Sequence, residues 1–123
     1  MDQDQIDTAP VIMKEDTHVE FASALVLPRC RSVIRLPVTE TMRSPSLFAS
    51  ADPRENDVVL EELACEDTLL ETIETPVESL RFGHKVSATL AEGVVLTARV
   101  RNDSDQEVRV GVSLVSAELV DKG

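Results

Sequence analysis

A chain of 123 residues has room for one hydrophobic core and not for two domains. Its 42% hydrophobic content contains no Trp or Tyr and only Phe21, Phe48 and Phe82 as aromatics. Val, Leu and Ile must therefore do the packing, a bias that favours strands. Twenty-three acids against twelve bases give a formal charge of −11, which repels phosphate backbones and argues against nucleic-acid binding by the bulk surface.

The first expected element is an N-terminal arm over residues 1–17. Asp2, Asp4, Asp7, Glu15 and Asp16 surround an apolar triplet, Val11, Ile12 and Met13, that cannot make a core alone. Such a triplet tucks onto its own domain or docks on a neighbour, so these three residues are candidate partner contacts. The acidic N-terminus is the opposite of a secretory signal, and no apolar run reaches the length of a membrane span. The chain is expected to be cytoplasmic when made, with no membrane partner.

The remainder, residues 18–123, is expected to form one β-sandwich domain. From His18 to Leu27, Val19, Phe21, Ser23, Leu25 and Leu27 alternate with Glu20, Ala22, Ala24 and Val26, predicting a strand that Pro28 ends. A short strand fits Val33 to Leu36. Residues 39–56, with Pro45 and Pro53 among Ser, Arg and Asp, read as a long loop suited to interaction. Over residues 57–74 a helix and a strand compete. Alternation favours a strand from Val58 to Cys65 followed by a loop, while Leu60, Leu63, Leu70 and Ile73 also suit a helical face.

Beyond Pro76 strands are expected at Val77 to Phe82, Val86 to Leu90, Val94 to Arg101 and Val108 to Leu119. The last two each carry one apolar face, Val94, Leu96, Ala98 and Val100 against Val108, Val110, Val112 and Leu114. Joined by the polar stretch Asn102 to Glu107, they predict an antiparallel hairpin. Arg99, Arg101 and Arg109 then share its outer surface and are candidate partner-binding residues.

The segment from Gly93 to Leu114, with its strand, Asn-x-Ser turn and strand, resembles a unit found in immunoglobulin-like sandwiches and in single jelly rolls. With Val58 to Leu63, Pro76 to Leu80 and the strand from Val86, the layout is similar to small jelly-roll proteins of viral capsids and their accessory shells. The resemblance centres on residues 90–119. It implies an all-β antiparallel sandwich, jelly-roll-like or immunoglobulin-like, with a structural role. Its edges and arm would pack against copies of itself or a larger shell protein.

The chemistry-bearing residues are few. His18 and His84 sit in no metal or triad spacing. Cys30 lies between Arg29 and Arg31 and is the better nucleophile candidate of the two cysteines, yet no base or oxyanion site accompanies it. In a cytosolic setting both thiols are expected to stay reduced. Asp103, Asp105 and Glu107 resemble the opening of a calcium loop, but Val108 and Leu114 stand where that loop needs Gly and Glu. No enzyme, cofactor, metal or small-molecule substrate is expected. The expected function is a non-enzymatic assembly protein, such as a capsid, shell or tail component of a virion. Between Ala51 and Leu80 ten acids stand with one base, and the alternative is a monomeric acidic module that recognises a basic partner through the stretch Glu61 to Glu78 or the long loop Thr39 to Asn56.

Overall fold

A computed structural model of the chain describes residues 17–54 and 57–117. Ten strands are present there: β1 Thr17–Val26, β2 Arg31–Pro37, β3 Met42–Arg43, β4 Ser46–Asp52, β5 Val58–Cys65, β6 Thr68–Pro76, β7 His84–Lys85, β8 Thr89–Leu90, β9 Val95–Asn102 and β10 Val108–Ala117. The arm expected before the domain lies outside the described residues except for Thr17, which opens β1.

The wiring is one long antiparallel hairpin. Thr17 pairs with Ala117, Arg31 with Arg101, Met42 with Leu90, Ser46 with Lys85 and Cys65 with Thr68, so the tip is Glu66-Asp67. Folding that hairpin over on itself brings β10 against β4 and β5 against β9. Two four-stranded sheets result: sheet I, ordered β1-β10-β4-β7, and sheet II, ordered β2-β9-β5-β6, with the short pair β3-β8 between. Four strands on each side in this order give a jelly-roll-like sandwich, distinct from the four-plus-three division of an immunoglobulin constant domain.

The core lies between the sheets and contains no aromatic side chain. Ile34 and Leu36 on β2, Leu60 and Leu63 on β5, and Leu96, Ala98 and Val100 on β9 face Leu47 on β4 and Val110, Val112 and Leu114 on β10, all at most 2% exposed. Burying one such side chain contributes roughly 1.5–3 kcal/mol, which makes this layer the main source of stability. Leu60 and Leu63 both point inward although three positions apart. A bulge at Glu61 shifts the pairing with β9 between Leu60 and Glu62 and restores the phase.

Four expectations are corrected. β9 and β10 do not pair: they face each other across the core, so the expected hairpin is an arch between sheets. The Asn102 side chain forms that arch by donating to the Gln106 carbonyl at 2.8 Å while its own oxygen accepts from the Ser104 amide at 2.9 Å. The apolar stripes were read correctly, but two such stripes close a core from opposite layers as well as from neighbouring strands. The loop expected over 39–56 contains β3 and β4. Its inward residues Leu47, Ala49 and Ala51 alternate with Ser46, Phe48 and Ser50, and this small-residue composition imitates a loop. β6 occupies the loop expected after Cys65; it is an edge strand without a fully buried residue, so its alternation is faint. Val77–Phe82 is a 3₁₀ turn rather than a strand, because its buried residues Val77 and Leu80 are three apart, one turn of that helix.

Candidate interaction surface

The two outer faces of the sandwich differ in chemistry. On sheet II, β2 presents Arg31, Val33 and Arg35 beside Arg101, Arg99 and Thr97 of β9. The next strand, β5, answers with carboxylates. The bulge turns Glu61 onto this face at only 7% exposure. There the Arg31 Nε lies 3.1 Å from each of its oxygens and the Arg101 Nη1 lies 2.7 Å from Oε2. Arg101 also reaches Asp103 at 2.8 Å and Glu74 at 3.6 Å. Hydrogen bonds donated to Asp103 and then to Glu61 hold its guanidinium still further above the ordinary arginine range. Arg99 stands 3.9 Å from Glu62 beside a shallow pocket of about 250 Å³ lined also by Val33, Thr97 and Leu69. Three of the four arginines on this face, Arg31, Arg99 and Arg101, lie beside carboxylates of the same chain.

The outer face of sheet I is built from Val19, Phe21, Ser23 and Leu25 of β1, Val115, Ser113, Gly111 and Arg109 of β10, and Ser46, Phe48, Ser50 and Asp52 of β4. Phe21, Ser113 and Phe48 form one row across three strands. Between the two rings lies a shallow groove of about 190 Å³, floored by Gly111 and Ser113 with Arg81 at its rim. Phe21 is 65% exposed, Val19 52% and Leu25 44%. Phe82, which precedes Gly83 at the end of the 3₁₀ turn, is 87% exposed.

Glycine lets the rings approach the backbone. A Cβ on Gly111 would sit 3.2 Å from the Phe21 ring, and one on Gly83 would sit 2.9 Å from that of Phe48. None of the three aromatics belongs to the buried core. Apolar rings that flank a groove rather than fill the interior are the composition of an interaction surface.

The six residues singled out by sequence do not form one site. Val11, Ile12 and Met13 lie outside the described residues. Arg99 and Arg101 are on sheet II and Arg109 is on sheet I, opposite Asp52 and Leu25, so the arch separates them onto opposite sides of the molecule. The residues sequence reasoning missed are Phe21, Phe48 and Gly111. The available signal was that β1 is apolar in both phases, which a strand with one solvated face does not require.

The titratable residues are arranged as structural ties. The His18 Nε2 lies 2.6 Å from Glu20 and 3.0 Å from the Thr39 hydroxyl, binding β1 to the segment after β2. The same Nε2 meets both partners, while Nδ1 lies 3.9 Å from the exposed Glu40, beyond hydrogen-bond distance. His84 sits 2.7 Å from Glu71, whose other oxygen accepts from the Ser87 amide at 3.0 Å. Burial and then the Glu66 charge push the Cys65 thiol up, away from thiolate reactivity; Cys30 is exposed. Among the described residues no group of three or more His, Cys, Asp or Glu could hold a metal ion, and no helix is long and apolar enough to cross a membrane.

No protein-family model, no curated protein and no solved structure matches this chain.

Proposed function

We propose that this chain is a non-enzymatic assembly protein that packs on copies of itself or on a larger shell protein through the outer face of sheet I. The observation that carries the reading is the position of the aromatics. In a chain of net charge −11, all three phenylalanines stand outside the core, two of them flanking a groove on a face whose centre bears no charge. Desolvating such a centre favours association without the penalty of burying unpaired charge. The jelly-roll-like order adds fold-level analogy to capsid and shell components, a weaker support because one architecture hosts many functions.

The acidic-module alternative has less behind it. Glu61, Glu62 and Glu74 from the acidic stretch lie beside Arg31, Arg99 and Arg101 of the same chain. Light scattering across a concentration range tests the main reading on the full chain and on Phe21→Ser. A mass above the monomer that falls in the variant is expected. A monomer at every concentration, with no shell protein recovered from the native source, overturns it.

A further inference from the structure

The outer face of sheet I has a charge pattern as well as an apolar centre. Around the Phe21–Phe48 groove stand Arg81 at its rim, Lys85 opposite Ser46 on β7, and Arg109 at the far end of β10. Asp52 is the one acid in the three main strands' outward positions. Arg81 lies 3.6 Å from Glu78 and is partly answered, leaving Lys85 and Arg109 as the more open cations. A suitable occupant is therefore apolar in the middle and acidic around it.

Two segments of the sequence have this pattern, the short Glu118-Leu119-Val120-Asp121 and a longer, more acidic one at the N-terminus. Residues 1–16 carry five acids, Asp2, Asp4, Asp7, Glu15 and Asp16, one base, Lys14, and a single apolar triplet, Val11-Ile12-Met13. The segment is joined to Thr17, the first residue of β1, which is the edge strand of the same sheet. Ile12 is five positions before Thr17, a reach of up to roughly 17 Å. The Phe21 row is four positions along β1, roughly 13 Å from Thr17. A chain that reverses just before Thr17 has the length to lay Ile12 near the Phe21 row. A tether this short also gives an effective concentration on the order of millimolar, ahead of any free partner.

We propose that the groove between Phe21 and Phe48 is the docking site of this chain's own N-terminal segment, with Val11, Ile12 and Met13 over the rings and the flanking acids near Lys85 and Arg109. The inference rests on the reading of this face as an interaction surface, and it makes the segment a built-in competitor for whatever assembles there.

The test is nuclear Overhauser contact in the full chain, between the methyl groups of Val11, Ile12 and Met13 and the ring protons of Phe21 and Phe48. Contacts are expected, and Ile12→Asp is expected to abolish them while the β10 amide spectrum stays in place. An equal mixture of isotope-labelled and unlabelled chains separates contacts within a chain from contacts between chains. Methyl shifts at free-peptide values without contacts overturn the proposal. So do contacts made instead by Leu119 or Val120, or contacts seen only between chains. The mass measurement is independent: intramolecular contacts in a protein that never associates would retain the docking and remove the assembly function, and the converse result would do the reverse.

Discussion

The Asn102 Nδ2 donates to the main-chain carbonyl of Val26 at 3.1 Å, across a separation of 76 residues. The same group donates to the Leu27 and Gln106 carbonyls, and the Asn102 oxygen accepts from the Ser104 amide and hydroxyl. One fully buried amide thus fastens the arch between β9 and β10 to the turn between β1 and β2. Asn102→Ala removes the buried partner of the Val26 carbonyl and of the Ser104 amide, and each buried unsatisfied group costs about 1–3 kcal/mol. A total loss of about 3 kcal/mol is expected from the urea midpoint at unchanged slope. A loss within 0.5 kcal/mol, roughly the scatter of neutral surface changes, would show that the arch needs no such anchor.

Gly83 and Gly111 each underlie a phenylalanine, yet their substitutions should differ. Gly83 has φ near +95°, a conformation L side chains rarely adopt, and its added Cβ meets the less exposed Phe48 at 2.9 Å. Gly83→Ala is expected to cost about 1–3 kcal/mol. At Gly111 the backbone is ordinary and the neighbour is the exposed Phe21 ring, which can move aside. Gly111→Ala should change stability by less than about 1 kcal/mol, since lost unfolded-state freedom offsets the contact. Thermal unfolding of the two variants side by side decides the order, and equal costs would mean that Phe21 is pinned.

Adjacent residues on β10 test the face assignment. Val110 is 0% exposed between the sheets, whereas Arg109 points outward. Val110→Asp places an unpaired charge in an aliphatic layer and should leave no cooperative unfolding transition by circular dichroism. Arg109→Asp should fold with a loss of no more than about 1 kcal/mol, owing to its new neighbour Asp52. If both variants unfold, the outward position of Arg109 is refuted.

Much of the fold was legible where a strand had one aliphatic face. β5, β9 and β10 were placed within a residue or two because Val58, Leu60, Leu63, Leu96, Val100, Val110 and Leu114 keep a plain period once the Glu61 bulge is allowed for. What local pattern does not encode is which layer a stripe belongs to. Leu96 and Val112 look the same whether their strands lie side by side or face to face, so the arch and the separation of Arg99 from Arg109 were invisible. β4 was hidden by the small size of Ala49 and Ala51. The aromatic face was hidden because β1 offers two apolar phases, and the choice between them comes from the depth of the opposing sheet. There Ala22 and Ala24 leave room that Val26 and the core strands fill, while Phe21 turns outward.

The carboxylates of Glu20 and Glu71 are both held below their ordinary value and so link stability to acid pH. The Thr39 hydroxyl, with its amide, outweighs burial and holds Glu20 below the ordinary value of 4.5. At Glu71 burial pushes upward, and the Ser87 amide together with His84 more than reverses it. A carboxylate lowered in the folded state binds its proton more weakly there than in the unfolded chain. Its contribution is therefore fully present above the ordinary value and is lost as pH falls through the lowered one. The urea midpoint is expected to decline as pH drops below about 4.5, and Glu20→Gln with Glu71→Gln should flatten that decline. An unchanged acid slope in the double variant would assign the effect to other acids.

Glu61 and Arg101 share an ion pair but not an environment, so removing one partner should cost more than removing the other. The Glu61 side chain is 9% exposed, while that of Arg101 is 26% exposed and keeps Asp103 and Glu74 as further partners. Glu61→Gln leaves Arg31 free to turn into water and Arg101 still paired, with an expected cost of about 1 kcal/mol. Arg101→Met leaves a nearly buried carboxylate with Arg31 alone, and a loss of about 3 kcal/mol is expected. Combining Arg101→Met with Glu61→Leu removes both the stranded charge and its desolvation. The double variant should therefore be more stable than Arg101→Met by itself, the sign a double-mutant cycle reads directly. Additive losses would place Glu61 in a more solvated setting than its burial under the bulge implies.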